Sequence, residues 1–275
     1  MTRLLFLLIA AKWRRFGYLW SMLLLSHLCS AAESLPLRII TVDEPPANYL
    51  AGNELQGYSI EIVRAVLQQL NLNPTIEVLP EDQALHIANT RPNVLLFTFS
   101  RTPEREDRYV WLLPVLRKRW QLFLPVGELQ KIRTLDDVPS LQKVGVVRGD
   151  VREQFLKQRR LTNLVSTSSP KQALFMLQQQ QLDAFASSQM EVDMLWQHLD
   201  LPGVKPAAAL SFGHSDAYLL FSTGTDPALV AQWQKALSQL RVQGTLRKIA
   251  LAWQDKLTQY SGHTPRLLPG DWLEY

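Results

Sequence analysis

The chain has 275 residues, one cysteine, 29 Lys and Arg against 25 Asp and Glu, and a formal net charge of +4. The whole basic excess sits in residues 1–32, where Arg3, Lys12, Arg14 and Arg15 stand without an acid, so the charge gives no reason to expect nucleic-acid binding. Cys29 lies in the same segment, and everything after it lacks a thiol for a disulfide, a nucleophile or a thiolate metal site.

Residues 1–32 have the layout of a secretory signal peptide: early basic residues, an apolar stretch through Leu28, and Ser30-Ala31-Ala32 before an expected cleavage. Tyr18 to Leu28 is short for a membrane span, and Leu28 before Cys29 disfavours lipidation; retention as an uncleaved anchor stays open. The remaining length suffices for two small lobes. Leu37 to Val42 reads as a short strand, and Ile60, Val63, Leu67 and Leu70 mark one apolar helix face. Thr75 to Leu79 and Val94 to Phe99 are the next strands. Thr102 can cap a following helix with Pro103 and Glu104 in its first turn. Arg105 then sits where a strand gives way to a helix. A guanidinium there, beside the Thr98 and Ser100 hydroxyls, suits a carboxylate held by two parallel hydrogen bonds. The same spacing also describes a solvated arginine on a charged helix.

Gln121 to Val126 is a further apolar run, and Val144 to Val147 opens a second strand–helix series. Ser169-Pro170 and Asp226-Pro227 are helix starts, Leu182 to Ala186 is a buried strand, and Gln178 to Gln181 is a solvated helix end. Ala217 to Ser222 precedes two helices, and residues 258–275, without periodicity, read as a surface-hugging C-terminal tail. The alternation predicts an α/β protein with mainly parallel sheets. His86, His198 and His214 lack metal-ligand spacing, so neither a metal nor a cofactor is expected.

Six segments carry a resemblance in order and spacing: Gly57–Val63, Ser100–Arg105 with Tyr109–Pro114, Ile132–Val138, Lys143–Gly149, Leu182–Ala184 and Gly244–Ile249. Together they resemble the periplasmic solute-binding proteins of family 3, the polar amino-acid receptors of ABC importers. The resemblance spans residues 37 to 255 and implies a two-lobed type II periplasmic-binding-protein fold with a hinge of two crossing strands. Lobe 1 would comprise 33–117 and 222–257, lobe 2 would comprise 118–221, and 258–275 would be the tail. Such proteins trap ligand by hinge closure.

The resemblance also assigns roles. Arg105 would bind a ligand α-carboxylate, Thr98 and Ser100 would hydrogen-bond its amine and carboxylate, and Asp43 with the Pro45–Tyr49 loop would occupy the region that places an aromatic over the ligand. Tyr49 is the candidate to stack there, a rim tyrosine packed on the prolines being the other reading. Gly149, Asp150 and Val151 match a turn whose N–H groups face the carboxylate, with Asp150 replacing a hydroxyl. Arg101 departs from an apolar position, and Glu81–His86 with Thr90–Asn93 replace the family's tryptophan and G-K-x-D segment. Ser188 stands where an aspartate pairs with the ligand's ammonium, so ordinary free α-amino acids are expected to bind poorly. Glu191 reads as a solvated helix face, with compensation for Ser188 the other reading.

The implied function is a monomeric, non-catalytic periplasmic receptor for a small carboxylate ligand, serving an ABC permease or a membrane sensor, with no nucleic-acid partner. A second class is a lyase resembling cyclohexadienyl dehydratases, with Glu191 as a general acid raised by burial. A third is an orphan or sensory receptor without a transporter.

Overall fold

The structure is a computed structural model that describes residues 36–275; the secretory layout of 1–32 lies outside the described residues. The chain runs β1 (Arg38–Thr41), β2 (Tyr49–Ala51), β3 (Glu54–Gln56), α1 (Tyr58–Gln69), β4 (Ile76–Val78), α2 (Glu81–Thr90) and β5 (Val94–Ser100). It continues through a short 3-10 turn (Pro103–Arg108), β6 (Tyr109–Leu124), two further 3-10 turns, β7 (Val144–Val147), α3 (Val151–Gln158), β8 (Leu164–Thr167), α4 (Pro170–Gln178) and β9 (Ala184–Ser187). Then come α5 (Gln189–His198), β10 (Ala207–Ser222), α6 (Pro227–Val242), α7 (Thr245–Ser261), β11 (Arg266–Leu268) and β12 (Trp272–Glu274).

The strands lie in the order β4-β1-β5-β10-β6-β9-β7-β8. At one end β1 pairs in parallel with β4 and β5; at the other β7 pairs in parallel with β8 and β9. The 16-residue strands β6 and β10 pair antiparallel from end to end and carry the chain between the two lobes. β5 meets β10 at Ala217 to Phe221, whereas β9 meets β6 at Gln121 to Phe123. The outcome is a mixed α/β, two-lobed fold.

Each lobe has its own apolar filling. Ile39, Tyr58, Phe97, Phe221 and Trp233, all without exposed surface, lie in the core where α1, α6 and α7 cover the first lobe. Leu122, Val144, Val146, Leu156 and Ala184 fill part of the second. Each such large side chain contributes about 1.5–3 kcal/mol through removal from water. Met190 and Met194 of α5 join the first cluster, and Gln197 Nε2 donates to the Tyr260 carbonyl at 2.9 Å, so the lobes touch. Ser169 and Asp226 cap their helices as their sequence context predicts, accepting from Gln172 N and Ala228 N.

Four expectations change. The sheet is mixed and not mainly parallel, because β6 and β10 pair antiparallel with each other and with β9 and β5. Gln121 to Val126 is no separate run: β6 starts at Tyr109 and crosses both Pro114 and Arg117-Lys118-Arg119. The register shifts beside Pro114, which has no N–H to donate, and Arg117 forms a bidentate pair with Asp216 at 2.6 and 2.9 Å. Thr102 makes no side-chain cap bond, and the segment after it is a six-residue 3-10 turn instead of an α-helix. The expected surface tail is instead the end of α7 followed by the β11–β12 hairpin, whose β12 adds to β6 with Leu273 fully buried.

Candidate functional site

Gly57 sets the approach to the site. With φ of +137° it occupies backbone space that only glycine reaches easily, and a Cβ there would lie 2.2 Å from the Ala47 carbonyl oxygen. The loop holding Asp43, Glu44 and Asn48 is thereby pressed onto the start of α1, with Ser59 N donating to Ala47 O at 2.9 Å.

Thr98 stands in β5 with φ of +73°, unusual for a β-branched residue, at the point where the register against β10 skips. Its hydroxyl donates to Asn48 Oδ1 at 2.6 Å. Ser100 shares a 2.8 Å hydroxyl contact with Ser215, whose oxygen also accepts from Trp120 Nε1 at 3.0 Å.

Arg105 is 5% exposed, not solvated. Its guanidinium donates to the Ser100 carbonyl and Glu81 Oε1, both at 3.4 Å, and reaches the Gly149 carbonyl of the other lobe at 2.9 Å. None of these is a bidentate carboxylate contact. Burial, then the charge of Asp150, pushes the Glu81 carboxyl up to about 8, so it is largely neutral at pH 7.

On the other wall, Gly149 has φ of +85°, and a Cβ there would come within 3.2 Å of Asp82 N. Asp150 caps α3, accepting from Arg152 N. It also holds the Arg152 guanidinium with both oxygens, at 2.9 and 2.7 Å. Burial works against its charge, yet Arg152 and Lys118 keep its carboxyl down at about 2. Arg152 further donates to Glu191 Oε2 at 3.1 Å and lies 3.6 Å from Glu44, which itself takes Lys118 Nζ at 2.8 and 3.0 Å. Burial opposes the charge on Lys118, but Glu44 and then Asp150 raise its pKa nonetheless.

A cavity of about 250 Å³ opens beside this cluster, lined in part by Asp43, Glu44, Glu81, Asp150, Arg152 and Ser169. A second, of about 310 Å³, is lined by Arg101, Trp120, Val151, Phe155, His214 and Ser215 among others.

The sequence-derived site residues therefore separate. Asp43 and Asp150 line the first cavity and Val151 the second. Arg105 and Gly149 meet each other, whereas Tyr49 is 4% exposed and meets His198 edge-on with ring centroids 5.4 Å apart. Ser188 caps α5, accepting from Glu191 N at 3.4 Å. Arg101, on the rim of the second cavity, pairs with Glu106 and stacks over the Trp111 and Tyr218 rings. Glu191 corrects its reading as a solvated face: it is 1% exposed, takes a hydrogen bond from Ser187, and burial raises its pKa against the pull of Arg152. Sequence reasoning gave no site role to Glu44, Lys118 or Arg152. Only Lys118 left a usable signal, since on a strand its side chain opposes those of Arg117 and Arg119.

Solved structures of similar fold include a histidine kinase sensor domain with similarity to periplasmic binding proteins, at TM-score 0.70 and 18% identity over 79% of this chain and 95% of that one. An ancestral arginine-binding protein bound to arginine gives TM-score 0.68 and 20% identity over 79% and 97%. An ancestral amino acid-binding protein, a precursor of cyclohexadienyl dehydratase, gives 0.66 and 20% over 79% and 94%. At these identities the likeness is one of fold alone. No curated protein sequence matches. Among the described residues, no helix is long and apolar enough to cross a membrane. The sequence profile of the bacterial extracellular solute-binding proteins, family 3, matches residues 37–256, and the chain belongs to that family.

Proposed function

We propose that the protein captures a small carboxylate-bearing, amino-acid-like ligand by hinge closure, as a monomeric periplasmic receptor for an ABC importer. Lobe 1 (33–117 with 222–257) and lobe 2 (118–221) would move about β6 and β10. The observation that carries this reading is Arg105. It is a buried cation with two long hydrogen bonds and one short bond to a carbonyl of the facing lobe. A ligand carboxylate offers that fork two stronger, charge-assisted bonds, and it would bind most tightly when both lobes surround it. The proposed site also takes in Thr98, Ser100, Asp43, Gly149 and Asp150: the Ser100 and Gly149 carbonyls accept from Arg105, and Asp43 and Asp150 line a cavity together with Glu81, the third Arg105 partner. The same arrangement would serve a sensor that presents its lobes to a membrane partner.

Thermal-shift screening of carboxylates followed by titration calorimetry tests this. A carboxylate that binds wild type and fails on Arg105→Ala is the expected outcome; equal affinities would remove Arg105 from the site. N-terminal sequencing of exported protein is expected to begin at Glu33.

Burial of Glu191 with a raised pKa favours one second reading, a lyase of the cyclohexadienyl-dehydratase type with Glu191 as acid. Turnover of a cyclohexadienyl acid that disappears in Glu191→Gln would establish it over simple binding.

A further inference from the structure

A strand has two edges, and β10 occupies one edge of β6 from Tyr109 to Leu124. Every other partner of β6 must therefore share the remaining edge. β9 takes it at Gln121 to Phe123. β12, which lies beyond the family match, takes it in parallel at Leu116 and Arg117. Tyr275 extends the contact: its N–H donates to Arg117 O, and its carbonyl accepts from Arg119 N, both at 3.0 Å. This edge of β6 is thus paired almost without a break from Leu116 to Phe123, along the stretch where the chain passes between the lobes. β10 differs. Its outer edge pairs with β5 at Ala217 to Phe221, and among the described residues no strand pairs with that edge from Ala207 to Ser215.

The β11–β12 hairpin is rooted in the first lobe. Leu273 is fully buried in its core, Arg247 Nη1 donates to Asp271 Oδ1 at 3.2 Å, and Arg241 Nη2 donates to the Gly270 carbonyl at 3.3 Å. Its side chains also grip β6. Glu274, 6% exposed, accepts from Arg119 Nη2 at 2.8 Å, and the Arg117 guanidinium lies 5.3 Å from the centre of the Trp272 ring. An exposed ion pair contributes little, but here one partner is buried and backbone hydrogen bonds flank it.

A two-stranded ribbon twists more readily than a wider sheet. A third strand on one edge stiffens it, because bending then has to strain hydrogen bonds on both edges of β6 at once. The hairpin supplies that third strand at the crossing, and it is tied at its base to α6, α7 and the first lobe's core.

We propose that the β11–β12 hairpin is a strap: it holds the crossing ribbon at the spacing at which the lobes touch, and the lobes part only as β12 releases the Leu116–Arg119 edge of β6. This rests on the hinge of the receptor reading and adds what restrains it, whatever the ligand.

Residues 33–275 contain no cysteine, so Gln68→Cys on α1 and Gln179→Cys just past α4, both at exposed positions, give one spin-label pair across the lobes. Pulsed electron spin resonance then reads the distance between the labels without ligand. Labelled wild type is compared with Trp272→Ala/Glu274→Ala, which removes the grip on Arg117 and Arg119 and keeps the strand, and with a chain ending at Gly262. Wild type should give one narrow distance. The double variant should raise the population at longer distance about tenfold, and the shortened chain at least as much. Where the shortened chain does not fold, the double variant alone decides. Identical distances in wild type and the double variant would overturn the strap inference, as would a wild type already held mostly at the longer distance. The receptor reading fails separately, if no carboxylate binds wild type in calorimetry, whatever the distances.

Discussion

Arg105 and Arg152 are both nearly inaccessible, at 5% and 2% exposure, but their surroundings differ in kind. Arg152 faces three carboxylates, with two bonds to Asp150, one to Glu191 and Glu44 at 3.6 Å. Arg105 faces two carbonyls and the largely neutral Glu81. A buried cation already matched by acids serves the structure, because its charge is spent on the protein itself. One surrounded by neutral acceptors keeps a field that a ligand anion can answer. The degree of compensation, more than burial or charge, separates a cation that holds the wall together from one suited to binding.

The strongest way to break this comparison is Arg152→Ala. It leaves Asp150, Glu191 and Glu44 buried with Lys118 as the main remaining cation, and a loss of about 3–5 kcal/mol is expected in denaturant unfolding. A loss below about 1 kcal/mol would show that water reaches the cluster freely.

Arg105→Ala should act on the other property. Stability changes little, while carboxylate affinity falls by about 1.5–3 kcal/mol, read by calorimetry. A large drop in Tm with unaltered binding would place Arg105 with Arg152.

Glu81 sharpens the contrast through pH. Its folded carboxyl, at about 8, lies above the ordinary value of 4.5. Its contribution is therefore fully present below pH 4.5 and is lost as pH rises through about 8. Asp150 behaves oppositely: its contribution is present above 3.8 and is lost as pH falls toward 2. Glu81→Gln should flatten the alkaline fall and leave the acid limb alone, a difference of about 1–2 kcal/mol at pH 9 because water still reaches part of the side chain. An unaltered alkaline limb would mean that Glu81 ionises normally.

Ser188→Ala is the smallest effect, about 0.5–1 kcal/mol of stability from a weak helix cap. A drop in ligand affinity without a drop in Tm would make Ser188 a binding group and not a cap.

Much of the architecture is legible locally. Helix starts at Ser169 and Asp226 depend on a side chain bonding an N–H a few residues away, and the strands at Val94 and Val144 are continuous apolar runs. The position of Arg105 after β5 follows from the same short-range rules. The crossing strand was harder to see, because Pro114 and the Arg117–Arg119 run look like interruptions until β10 and Glu44 supply their partners. Likewise, the three-residue strands β11 and β12 have no periodicity to read; their pairing comes from β6 and from each other.

By itself the sequence determined the alternating α/β elements, the two-lobed family fold and the presence of an arginine at a strand end. Tertiary structure alone decided which charges meet. Glu44, Lys118, Arg152 and Glu191 come from four separate segments, and no spacing along the chain encodes their contact. The physical reason is that a buried charge is tolerable only beside its complement, and those complements are assembled by the packing of distant elements. The same packing turned Glu191 inward, because the Met190 and Met194 side chains of α5 are held in the first lobe's core.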